Sequence, residues 1–315
     1  MPQEFKNRVY GAVIVKAINS NYNADFTHQP RTLPNGVAYA TDKALKYLIK
    51  NYIMKNYPAE KVLYFKSLDE DMKPRTLDES YKILFGEYEK SKKGKGDDLN
   101  KSKILANLLK CLDIRLFGAT FAAETNISIH GPVQICHGVN RYPENIIFSE
   151  QIMSPFRNPS EKSKEAEMTT LGSQSKLKEG HYVHHFSINP KNLAHHRDIV
   201  KKEGNDAAYL TTDDITKLKE AMRSGVTFYD SASKAGTENE LLFWVQLKDT
   251  SKLVLPNFTE RVMATRNADM VEIDLNGVSQ VLADHSGEIE AIELHYNATT
   301  TAIKNQPKTA TTYKL

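Results

Sequence analysis

At 315 residues the chain is long enough for one large domain, or for one core with sizeable insertions. Its 42 Lys and Arg against 39 Asp and Glu leave a formal charge of +3, too mild to hold nucleic acid by bulk charge, so any such site must be a local basic groove. Cys111 and Cys136 form no metal or redox spacing and point to a reduced, cytoplasmic setting; the polar start MPQEFKNR carries no signal pattern, and no apolar run approaches the roughly 20 residues of a membrane span.

The first element is an apolar strand, Arg8 to Ile18, which empties into a long loop, Asn19 to Gly36. The loop is rich in Asn and Pro and too irregular to be a mere connection. It lacks the glycine spacing of a P-loop or a dinucleotide-binding turn. A helix follows from Thr41 to about Asn56, with Ala44, Leu45, Leu48, Ile49, Tyr52 and Ile53 on its apolar face. Thr41 stands at the N-cap and Asp42 in the first turn. Lys43, Lys46 and Lys50 recur at spacings of three and four, giving one basic stripe on the other face. A strand that delivers a polar loop to a helix N-terminus places N–H groups and ammonium groups where phosphates can be held. The same stripe also reads as an ordinary solvated face.

Tyr57 to Leu99 reads as an insertion ending in the charged run Ser91 to Lys103, which is expected to be a surface loop. A short helix, Ile104 to Cys111, leads into DIRLFGATFA (Asp113 to Ala122) and NISIHGPVQICHGVNRY (Asn126 to Tyr142). The second stretch reads as strand, turn, strand, punctuated by His130, Gly131 and Pro132. From Pro143 to Gly180 the sequence turns polar. Its outer parts can be strands and its middle, Asn158 to Glu167, cannot bury a core, so a long projecting hairpin fits. His181 to Asn189 is a further strand. Thr211 to Gly225 is a capped helix with Ile215, Leu218 and Met222 inward. Glu238 to Asp249 is a buried strand that places Trp244 in the core. Met270 to Leu282 reads as strand-like, with a turn at Asn276-Gly277, and the tail from Asn305 is expected to fray. There is no internal repeat.

Strand, helix, strand, strand, helix, strand is the order of a ferredoxin-like or RNA-recognition-motif fold, an α+β architecture. With that order, Pro30-Arg31, TDKALKYLIKN from Thr41, DIRLFG from Asp113, GPVQ from Gly131, TLGSQ from Thr170 and YDSASKAG from Tyr229 make the chain resemble a known family. It is similar to the backbone subunit of CRISPR Cascade complexes, in the type I-B branch of the RAMP superfamily. The resemblance runs from about Arg8 to Asp249, and DIRLFG followed by GPVQ is its most specific part.

The resemblance implies one domain over 1–315, with a modified RNA-recognition-motif palm, a helical insertion (57–103) and a thumb hairpin (143–180). It implies a non-catalytic protein without cofactor or metal, polymerising along a CRISPR RNA beside other Cascade subunits. Each copy would grip the phosphate backbone and present bases for pairing with target DNA in antiviral defence. Thr41, Lys43, Lys46 and Lys50 would line the RNA groove, with Arg31 a further contact. Met153, Pro155 and Phe156, or Met168, would supply the thumb's wedge. Arg115 can contact RNA or pair with Asp113. The first loop lacks the glycines that many relatives carry, and no RNP signature is present.

Other signals compete. His181, His184, His185, His195 and His196 invite a metal site, and His181 and His185 share a strand face. No Cys or carboxylate sits at matching spacing, so structural or surface histidines are expected. Asp25 invites comparison with RNA-cutting relatives, although a turn-stabilising Asp is the simpler reading. The alternatives are therefore an RNA-cleaving RAMP-type ribonuclease and a general single-strand RNA-binding protein.

Overall fold

The computed structural model describes residues 3–91, 98–153, 171–202 and 209–315. The chain begins with β1 (Val9–Ser20) and, after the long loop, β2 (Tyr39–Ala40) and α1 (Asp42–Asn56). Three helices follow: α2 (Leu77–Phe85), α3 (Lys101–Leu108) and α4 (Leu112–Phe117). Next come β3 (Gly118–Ala122), β4 (Asn126–His130), β5 (Val133–Ile135), β6 (Gly138–Asn140), β7 (Ile147–Met153) and the 18-residue β8 (Leu171–Ile188). Then α5 (Ala194–Lys202), α6 (Thr212–Ser224) and β9 (Thr237–Leu247) lead to β10 (Met263–Asn267), β11 (Met270–Asp274) and α7 (Asn276–Ala283). The chain finishes with β12 (Ile289–Tyr296), β13 (Thr301–Lys304) and β14 (Thr311–Lys314).

The architecture is mixed α+β. Among the described residues the principal sheet runs β14-β12-β9-β1-β8-β6-β2, with β5 and β7 also paired to β8. β1 lies at its centre, antiparallel to β8 and β9. Alternation along these strands divides the core in two. Val9, Val13, Val15 and Ala17 of β1, with Tyr182 and Phe186 of β8 and Trp244 of β9, face the layer made by α1 and α6. Tyr10, Ala12 and Ile14, with Val183 and Phe243, face the C-terminal elements. Burial on both faces is why β1 and β9 read as nearly unbroken apolar runs. A third cluster joins Leu63, Tyr81 and residues of α3 and α4 to Phe121, Ile129 and Val200.

α6 begins with a capping box in which Thr211 and Asp214 each bond the other's backbone amide. Met222 and Leu218 turn inward as expected. The first strand of the polar hairpin, β7, pairs with β8 from Ile147↔Leu177 to Met153↔Leu171. β8 then continues without a break into the central sheet, so one strand serves both arm and core.

Several expectations are corrected. The helix expected from Ile104 to Cys111 is α3, which starts three residues earlier and ends at Leu108. Asn276-Gly277 opens α7 rather than a hairpin turn, because Val278 and Leu282 fall at helical spacing and are buried. The tail does not fray: β14 pairs in parallel with β12, and the Tyr313 ring stacks on His295 with centroids 4.7 Å apart.

Candidate nucleic-acid interface

The site is built where the first loop meets α1. Thr41 does stand at the N-cap, but its side chain does not cap the helix. Its amide and hydroxyl both donate to the Asn23 side-chain oxygen, at 2.9 and 3.1 Å. Asn23 thereby ties the long loop to the start of α1. Lys43, Lys46 and Lys50 line one side of a cleft of about 450 Å³, opposite Phe117, Gly118, Gly131 and Gln134.

The floor explains why DIRLFG and GPVQ occur together. Gly118 ends α4 with φ +73, and a Cβ there would stand 2.2 Å from the Ile129 carbonyl oxygen. A Cβ on Gly131 would stand 2.1 Å from the Gly118 amide nitrogen. The two backbones can pass this closely only as glycines. The Gln134 side chain then donates to the Gly131 carbonyl at 2.8 Å and fixes the loop.

The lysines are not a freely solvated stripe. Lys43 is exposed. Lys46 Nζ lies 2.9 Å from Asp42 Oδ2 and 5.5 Å from the Phe117 ring centroid, with 18% of its side chain accessible. Burial would raise the Asp42 carboxyl, but the Lys46 ammonium holds it below the usual carboxylate range. Lys50 Nζ donates to the Tyr64 carbonyl, and burial lowers its pKa, with Asp113 acting against that shift. Asp113 is buried, which pushes its own carboxyl up, and it accepts the amides of Leu63 and Tyr64 at 3.1 and 2.8 Å. Asp113 thus sets the segment whose carbonyl holds Lys50. Tyr64 and Gln134 were not singled out by sequence as site residues, although Gln134 lies within the GPVQ motif.

The other expected residues are dispersed. Arg31 stays in the first loop, where Nε donates to the Ala24 carbonyl at 3.0 Å. Arg115 does not pair with Asp113. It forks onto Asp214 at 2.8 and 3.3 Å and donates to the carbonyls of Leu109 and Lys110, holding α4 to the start of α6. Met153 is 58% exposed at the end of β7. Phe156 and Met168, with Pro155, lie outside the described residues. Asp25 accepts the Thr27 and Gln29 amides, a turn-stabilising role.

The histidines have internal partners. His181 lies between Glu240, at 2.5 Å, and Glu179, at 3.1 Å. Burial opposes its charge, but the two carboxylates prevail and raise its pKa to about 9. His184 meets Tyr22 and the Cys136 carbonyl, and His185 receives the Phe258 amide. Burial lowers both to about 4. Among the described residues no group of three His, Cys, Asp or Glu side chains is placed to hold a metal, and no helix is long and apolar enough to cross a membrane. A larger cleft of about 780 Å³, lined by Tyr52, Arg223 and Phe228, carries none of the lysines expected to hold RNA.

The sequence profile of the family described as "CRISPR-associated protein Cas7" matches residues 7–276. No curated protein matches the chain. Among solved structures, a chain of a "CRISPR RNA-guided surveillance complex, pre-nicking" is similar in fold, with a TM-score of 0.57 and 11% identity, covering 98% of this chain and 96% of that one. A chain of a "CRISPR RNA-guided surveillance complex" aligns with a TM-score of 0.46 and 11% identity, covering 94% and 95%.

Proposed function

This chain belongs to the Cas7 family of CRISPR-associated proteins, and we propose that it is a non-catalytic backbone subunit of an RNA-guided surveillance complex, of the type I-B branch. The observation that carries this reading is the cleft in which Lys43, Lys46 and Lys50 face the Gly118–Gly131 floor. Ammonium groups over close-packed backbone suit a phosphate chain and give no donor pattern for reading bases. A subunit serving any guide needs that indifference, because specificity then belongs to base pairing with target DNA. Lys46 is held ready by Asp42, and an arriving phosphate competes with that carboxylate for it. Arg31 and Thr41, both joined to Asn23, extend the contact toward the first loop. Arg115 supports the site from behind, through Asp214.

The strand order β9-β1-β8-β6, with α1 and α6 on one face, supports reading the core as a modified RNA-recognition motif. The β7–β8 hairpin is then the thumb, with Met153 in its apolar wedge, and the protein packs as successive copies along the guide beside other subunits. A nuclease reading gains no support from the histidines: His181 is charged between two carboxylates and His184 is buried.

The test is the salt dependence of binding to single-stranded RNA. Lys43→Ala and Lys46→Ala are each expected to weaken binding alike for unrelated sequences and to lower the log–log salt slope by about 0.7 per lost phosphate contact. Unchanged slopes, with RNA still bound, would remove the cleft from the interface.

A further inference from the structure

We propose that Phe26 is a stacking platform for an unpaired RNA base, outside the phosphate cleft; this rests on the RNA-binding reading above. Phe26 is 97% exposed. Its ring is nonetheless carried on a structured turn. Asp25 Oδ1 accepts the Thr27 amide and hydroxyl at 2.8 Å each and the Gln29 amide at 3.0 Å, while the Asp25 amide donates to the Gln29 carbonyl at 2.8 Å. The fold therefore holds a large apolar ring in water although no packing within the described residues requires it. The Arg31 guanidinium lies over that ring, 5.9 Å from its centroid, and is itself fixed by the Ala24 carbonyl.

An aromatic face beside a cation is the pairing that holds single-stranded nucleic acid: the ring takes a base and the cation lies within reach of its phosphate. Its chain neighbours Asp25, Thr27, His28 and Gln29 are polar, unlike the apolar cluster that a protein partner covers. The turn is also tied to the cleft. The Arg31 amide donates to the Asn23 carbonyl at 3.2 Å, and the Asn23 side chain holds Thr41 at the start of α1. A strand gripped at α1 thus has an aromatic platform anchored through the same residue.

The experiment compares a short single-stranded RNA with an abasic ribose-phosphate oligomer of the same length, using the full chain. Phe26→Ala is expected to weaken binding of the intact RNA about tenfold, leaving the salt slope and the abasic affinity unchanged. Phe26→Trp restores affinity, and its added emission is quenched by the RNA, Trp244 being buried. No loss, or an equal loss on both oligomers, overturns the stacking role. A change in RNA-free self-association with Phe26→Ala makes the ring a contact between copies and also overturns it. Wild-type binding to the abasic oligomer reports the cleft separately: if it persists while the Phe26 arm fails, stacking alone is rejected, and if the wild type binds neither oligomer, the RNA-binding reading falls with it.

Discussion

Raising the pH from 6.5 to 9.5 is expected to loosen the base of the hairpin through His181. This residue sits where β8 leaves its pairing with β7 and enters the central sheet. Its amide donates to the Asn140 side chain at 2.7 Å, and its ring bridges Glu240 on β9 and Glu179. Glu179 also holds Arg266 of β10, at 2.5 Å, so one charged ring fastens three strands. A pKa raised from 6.5 to about 9 means that the folded state keeps a proton the unfolded chain releases. That stability is complete below pH 6.5 and is lost as the pH rises through about 9. At about 1.4 kcal/mol per pH unit the loss is on the order of 3 kcal/mol, a fall in Tm of roughly 5 °C. Below pH 6.5 the sign reverses: His184 and His185, lowered to about 4, stay neutral in the fold while the unfolded chain takes up protons, so stability falls as the pH drops from 6.5 toward 4. Thermal melts of the wild type and of His181→Gln across pH 5 to 9.5 provide the assay. The variant should be the less stable at pH 6.5, and the gap should close by pH 9.5. A gap that stays constant over that range would refute a charged His181.

Gly131→Ala, whose Cβ would press on the backbone of Phe117 and Gly118, should cost on the order of 2–3 kcal/mol in urea unfolding and abolish RNA binding even where the chain still folds. An alanine variant of native stability and affinity would show that the two loops do not need their close approach. Deleting 311–315 should cost only about 1 kcal/mol, since β14 is exposed, but it bares the edge of β12. Size-exclusion chromatography should then show new association at high concentration, and an unchanged monomer fraction would argue against β14 as an edge cover.

What was legible in the sequence is what depends on local period. β1, β9 and the capped α6 follow from alternation, unbroken apolar runs and a Thr–Asp box within a few residues. At α7 the Asn-Gly pair is a strong hairpin signal, while the burial of Val278 and Leu282 that decides for helix comes from packing on distant strands. β14 carries no local signal, because a parallel edge strand answers to β12, from which β13 separates it in the chain. At the site, the lysine spacing and the two glycine motifs were readable. The partners that set their chemistry were not: Arg115 meets Asp214 across 99 residues, and Lys50 answers to a carbonyl placed by Asp113. Nothing in the loop's sequence marks Phe26, whose exposure is set by the turn that Asp25 holds.

Lysine footprinting tests the central claim most directly. The folded protein is acylated briefly, with and without saturating single-stranded RNA, and modification is read at each lysine by mass spectrometry. Lys43 should lose most of its reactivity when RNA binds, Lys46 and Lys50 should stay protected, and the exposed Lys191, Lys201 and Lys202 near α5 should be unaffected. Protection concentrated on the α5 lysines, with Lys43 as reactive as before, would place the RNA elsewhere and contradict the account.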